Sequence, residues 1–188
     1  MKQKDIKFQD ASKYGLFIAT DQEGGTVSRL STSLQLINGR SFPSPQEIYK
    51  QSGITGVVKE YSSVAKVLRS LGINWNFAPV ADVSDDPNSF IYDRTLGQNY
   101  KLTAQYVSKV VPAIQKQQVA ATLKHFPGYG SSGDTHTGFA SDERSAAEVK
   151  KNDFLPFKAG IRAKADSVLV GHVVVNSLDA SRPASVSK

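Results

Sequence analysis

Four short apolar runs, each closing on polar residues and glycine, set the rhythm of the chain. They are Gly15–Thr20, Ile73–Val80, Val119–Lys124 and Ser167–Val174. Runs of this length without alternation suit strands buried on both faces, and the first is read that way. In the second, Trp75 and Phe77 fall on one face, and Asn74 and Asn76 on the other. Between the runs the period changes. Val57, Val58, Tyr61, Val64, Val67, Leu68 and Leu71 recur at three and four, which predicts a helix over 57–71 that Gly72 stops. Residues 31–56 have no clear period and read as a long loop with one short helix around Pro45 to Gln51. Tyr106, Val107, Val110, Val111 and Ile114 predict a helix over 102–118, which Pro112 must kink or divide. Ser145 and Glu148 have capping-box spacing. They open a helical region that Pro156 restarts and that ends near Ala165.

Strands that return at intervals of roughly 45 to 60 residues, with helices between them, predict an α/β fold of parallel βα units. Polar residues gather after each strand, as they do in barrels and in doubly wound sheets. The first glycine turn is not Gly-x-Gly-x-x-Gly, and no Walker sequence occurs, so a nucleotide-binding fold is disfavoured.

Composition narrows the partners. The 188 residues include no cysteine, which removes disulfides, thiolate metal sites and a cysteine nucleophile. The net charge is +6, but the lysines and arginines are scattered, without a basic run or interleaved aromatics. No nucleic-acid partner is therefore expected, while an anionic cell-wall polymer stays open. No apolar run is long enough to span a membrane. Met1 to Asp10 is polar and lacks the apolar core of a signal peptide; the compartment stays unassigned.

The chemistry gathers at the strand ends. Lys124-His125-Phe126-Pro127-Gly128-Tyr129-Gly130 through Asp134-Thr135-His136 follows the third run and holds two of the three histidines. Asp21-Gln22-Glu23-Gly24-Gly25, with Arg29 beyond, follows the first; an Asp there can accept two hydroxyl hydrogen bonds in a fixed geometry. Asp82, Asp85 and Asp86 follow the second run, but their spacing is not that of an EF-hand, and no metal is assigned. Asp93 and Arg94 come next, either as a surface pair or with Arg94 as a planar fork for neighbouring hydroxyls or an amide carbonyl. His172 in the fourth run either lines a pocket or packs.

Lys-His-Phe-Pro-Gly-x-Gly followed by Asp-x-His resembles the signature loop of glycoside hydrolase family 3, in its β-N-acetylhexosaminidase branch. Asp-Gln-Glu-Gly-Gly, Asn-Phe-Ala-Pro-Val-x-Asp-Val and Asp-Arg-Thr-Leu-Gly match the same family in the same order, from about residue 15 on. The resemblance implies a partial (β/α)8 TIM barrel, residues 1–188 forming one partial domain that corresponds to the family's second to fifth strands. It implies a retaining hydrolase that removes terminal β-linked N-acetylglucosamine from cell-wall or chitin-type fragments, without a cofactor. His136 would be the acid/base and Asp134 its orienting partner. Asp21, Arg29, Arg94, Lys124 and His125 would bind the sugar, and the acid at Asp82 would be mainly structural. Gly128, Gly130 and Gly133 would let the loop swing.

Two features depart from the family. Tyr129 stands where it usually has His, and the loop is one residue shorter before Asp-x-His. The nucleophilic Asp of the family's next strand has no counterpart in the sequence. The chain is thus expected to be the middle of a barrel, prone to self-association through open edges. Two alternatives remain: a β-glucosidase or β-xylosidase type of relative, and a non-catalytic carbohydrate-binding remnant.

Overall fold

The computed structural model describes residues 2–32, 39–130, 132–136, 138 and 140–188. Part of the 31–56 loop (33–38) and of the Asp-x-His loop (131) lies outside the described residues. The four apolar runs supply the four strands of one parallel sheet: β1 (Ala19–Thr20), β4 (Trp75–Asn76), β5 (Ala120–Phe126) and β7 (Ser167–Val170), side by side in that order. Two small sheets flank it. β2 (Gln22–Gly24) and β3 (Val27–Ser28) are antiparallel; β6 (Ala140–Asp142) and β8 (Val173–Val175) are parallel.

Helix α1 (Lys2–Ala11) precedes the sheet, and α2 (Pro45–Ser70), α3 (Tyr100–Gln115), α4 (Ala146–Lys151) and α5 (Phe154–Arg162) follow its strands. Helix α2 packs on α3 and α3 on α5, so these three share one face of the sheet. Their apolar stripes close over Ala121 and Leu123 of β5, with Leu68, Val107, Val110, Ile114 and Phe157 all buried. Strands that neighbour one another in chain order beneath a single helical layer belong to a (β/α)8 barrel. A doubly wound sheet reverses its strand order and has helices on both faces. Side chains alternate along a strand, and on the opposite face Trp75 Nε1 donates to Thr122 Oγ1 at 2.7 Å. The Thr122 and Ser167 hydroxyls meet at 2.8 Å.

The packing of α5 on β5 leaves no room at Gly160. A Cβ there would lie 2.5 Å from both terminal carbons of Leu123, a residue with no exposed surface to swing into. Gly160→Ala is expected to destabilise the chain by about 1–3 kcal/mol. An unchanged urea midpoint would show that Leu123 repacks without cost.

Four expectations need correction. Gly15–Thr20 is not a buried strand: Phe17 is 76% exposed, and among the described residues only Ala19–Thr20 pair, on one side, with β4. The stretch before residue 57 is helical from Pro45. Ser44 and Glu47 cap it reciprocally, and the backbone departs from helical geometry at Gly53. That kink separates the short helix expected near 45–51 from the periodic stretch after it. Pro112 does not divide α3, since it lies on the exposed side three residues from the helix end and frees only the Ser108 carbonyl one turn before it. The fourth run splits at Gly171–His172. Val173 and Val175 leave the main sheet to pair with β6 and pack with Ala140 and Val149.

Candidate active site

The strand ends converge on a network of charges that is almost wholly buried. Lys124, near the end of β5 and 1% exposed, directs Nζ to Asp21 Oδ1 at 2.7 Å and to Glu23 Oε1 at 2.6 Å. Asp21 directly follows β1, and Glu23 lies two residues on in β2, so the alternation of extended chain sends both carboxylates the same way. Arg94 forks onto Glu23 through Nε at 2.9 Å and Nη2 at 2.8 Å. Such bidentate pairing is the geometry in which a buried arginine is best satisfied. Burial works against the Arg94 charge, but the Glu23 fork outweighs it and holds the guanidinium above its usual range. Arg94 therefore belongs to an interior pair with Glu23, not to a surface pair with Asp93.

His125 joins the network from β5. Its Nε2 lies 3.2 Å from Arg94 Nη2, which can only donate, so Nε2 accepts and the ring proton sits on Nδ1. That proton goes to Asp82 Oδ2 at 2.8 Å. Asp82 also accepts the His125 amide at 2.9 Å and the Tyr129 amide at 2.9 Å. One buried carboxylate thus fixes the tautomer of His125 and the start of the loop after it. Asp85 and Asp86 lie exposed on the following turn, apart from Asp82. Among the described residues no group of three His, Cys, Asp or Glu is arranged to hold a metal.

The loop beyond Phe126 rests on a second cluster. Arg144 bridges Asp142 at 2.6 Å and Asp153 at 2.8 Å, and the backbone crosses directly above it. A Cβ at Gly128 (φ +120°) would lie 2.5 Å from Asp153 Oδ1, and one at Gly130 (φ +53°) would lie 2.6 Å from Arg144 Cζ. Gly128 and Gly130 are therefore required by close approach and left-handed backbone. Farther along, Asp134 Oδ1 accepts from the His136 amide at 2.9 Å and pairs with Nδ1 at 2.7 Å. Its carboxyl is held below the usual carboxylate range, first by that amide and also by the imidazole. His136 is mostly exposed, its side chain 73% accessible. With Nδ1 given to Asp134, Nε2 is the ring nitrogen left to face a ligand.

A cleft of about 620 Å³ is lined by Asp21, Arg29, Arg94, Lys124, His125, Tyr129, Thr135, His136 and His172, with Phe77 and Leu169 as apolar wall. Six of the seven residues singled out from the sequence line it, and the seventh, Asp134, holds His136. Arg29 stands exposed at the rim. His172 lines the cleft, with Nδ1 2.6 Å from Ser185 Oγ. Sequence reasoning passed over Glu23, and it gave Asp82 no role in orienting His125. The available signal was Glu23 at two residues from Asp21 on a strand end. Asp82 was expected to be mainly structural, and its partners arrive from β5 and from the loop after it.

Over residues 2–188 the chain matches the family model described as glycosyl hydrolase family 3 N terminal domain. It is 34% identical over 183 residues to beta-hexosaminidase A of Pseudoalteromonas piscicida, covering 93% of this chain and 29% of that protein. To a beta-hexosaminidase of Xanthomonas oryzae it is 34% identical over 175 residues, covering 92% of this chain and 52% of the relative. The solved structure of a family 3 beta-N-acetylglucosaminidase from Paenibacillus superposes with a TM-score of 0.89 at 28% identity, over 99% of this chain and 36% of that one. The chain thus spans about half, or less, of the length of these relatives.

Proposed function

The chain belongs to glycosyl hydrolase family 3, and we propose that its cleft takes the terminal sugar of a β-linked N-acetylglucosamine glycan and serves its hydrolysis with retention. The observation that carries this reading is the meeting of two unlike groups in one cleft. One is a rigid, buried set of hydrogen-bonding charges; the other is an exposed imidazole with its own carboxylate. Asp21 accepts from neighbouring ring hydroxyls, Lys124 and Arg94 donate to sugar oxygens, and Arg29 closes the rim. His125, with Nδ1–H given to Asp82 and Nε2 accepting from Arg94, holds the guanidinium in place beside the sugar. His136 gives a proton from Nε2 to the leaving oxygen and then takes one from water, while Asp134 steadies the charged ring. Retention further requires a nucleophilic carboxylate on the opposite side of the bond, the role of the family's Asp-bearing strand. The relatives named as hexosaminidases and as an N-acetylglucosaminidase support the choice of sugar.

Tyr129, in place of the family's usual His, favours a second reading in which the sugar is a glucoside. One comparison separates the two. The 188 residues are joined to the Asp-bearing half of a hexosaminidase relative, and the chimera is given 4-nitrophenyl N-acetyl-β-D-glucosaminide and the matching glucoside. Faster turnover of the N-acetyl substrate, by at least tenfold, is expected. A preference for the glucoside would transfer the proposal to the second reading. If the folded chimera turns over neither sugar, and the isolated chain shows no N-acetylglucosamine-dependent NMR shifts at His125, the proposal fails.

A further inference from the structure

The loop that carries Asp134 and His136 is tied to the body of the protein by a bond outside that pair. The Tyr129 hydroxyl lies 2.7 Å from Thr135 Oγ1, and Thr135 is the residue between Asp134 and His136. The hydrogen bonds of His136 to Asp134 span two residues, whereas the Tyr129–Thr135 bond spans six and closes the loop across its width. Tyr129 is itself rigidly mounted. It is 2% exposed, and its amide is held by Asp82. Its ring meets His125 edge-on at 5.1 Å and Phe90 at 4.9 Å. It is a post footed in the buried network, and its tip reaches the loop.

We infer that Tyr129 is a positioning residue. Its hydroxyl fastens Thr135 and so holds Asp134 and His136 at the rim of the cleft. Burial pushes the Tyr129 phenol up, so it stays protonated through neutral pH and can donate to the threonine. The consequence for turnover rests on the proposed acid/base role of His136; the tether itself does not.

The test uses Tyr129→Phe, which keeps the ring between Phe90 and His125, and Thr135→Val, which leaves Tyr129 untouched in the cleft. Backbone ¹⁵N relaxation of the 188-residue chain reads the tether directly. In each variant the order parameters of Thr135 and His136 are expected to fall from a rigid value of about 0.85 to below about 0.6. The double variant should add nothing further, because both changes remove the same bond. In the chimera, kcat should fall roughly 3- to 10-fold, as for loss of one hydrogen bond, with KM changed less than twofold. Unchanged relaxation in both single variants would overturn the tether. So would effects that add in the double variant, since Tyr129 would then be acting on something other than Thr135. A loosened loop with unchanged turnover would overturn Tyr129 as a positioning residue, while the acid/base role of His136 is decided separately by His136→Ala.

Discussion

Replacing Glu23 by alanine is expected to lower the melting temperature of the chain by roughly 6–20 °C. The carboxylate has no accessible side-chain surface, and it is shared by Arg94 and Lys124, whose side chains are 13% and 2% accessible. Removing it leaves two cations in the interior with Asp21, itself partly exposed, as the remaining carboxylate within reach of Lys124. Breaking a buried ion pair from one side costs about 3–5 kcal/mol, because an uncompensated charge stays behind. For a domain of this size each kcal/mol corresponds to about 2–4 °C. Glu23→Gln retains the shape and an acceptor oxygen for one of the two cations, and should lose markedly less. Calorimetry on the three proteins checks the ordering. If Glu23→Ala melts within about 2 °C of the parent, the charges are not held by one another, and the rigidity attributed to the cluster is wrong.

His136→Ala and Asp134→Ala should show the reverse pattern. Each is expected to cost the chimera about 10²–10⁴ in kcat, the span of a positioned acid/base. His136→Ala should not move stability beyond about 0.5 kcal/mol, since changes at exposed positions seldom do and His136 is largely exposed. Asp134→Ala removes both the partner of Nδ1 and the acceptor of the His136 amide, so the ring loses its tautomer and its aim together. Turnover of the aryl N-acetylglucosaminide by both variants at near the parent rate would take the pair out of the mechanism. Taken with Glu23, these variants separate groups that hold the site from groups that act in it.

The strands were legible where burial was continuous. Val119–Leu123 is apolar because helices cover one side and the neighbouring strands flank it, and β5 follows with little shift. Gly15–Thr20 carries the same signal, but among the described residues only Ala19–Thr20 pair, on one side, with β4. The start of α2 was written in Ser44-Pro45-Gln46-Glu47, a capping box with proline at the first helical position; the missing apolar period after it hid the signal. The split of the fourth run depends on β6 and α4 offering Val173 and Val175 a place to bury, which is tertiary information. At the site, residues whose type alone suggests chemistry, such as Lys124, His125 and His136, stood out. Asp82 and Glu23 did not, because their role is defined by partners 43 and 71 residues away.

Asp82 has one further consequence. A single oxygen pair serves two clients, His125 in the buried network and the amide of Tyr129 at the root of the loop. The ring of His125 and the root of the loop are therefore set by one carboxylate, and a change at Asp82 is expected to disturb both at once.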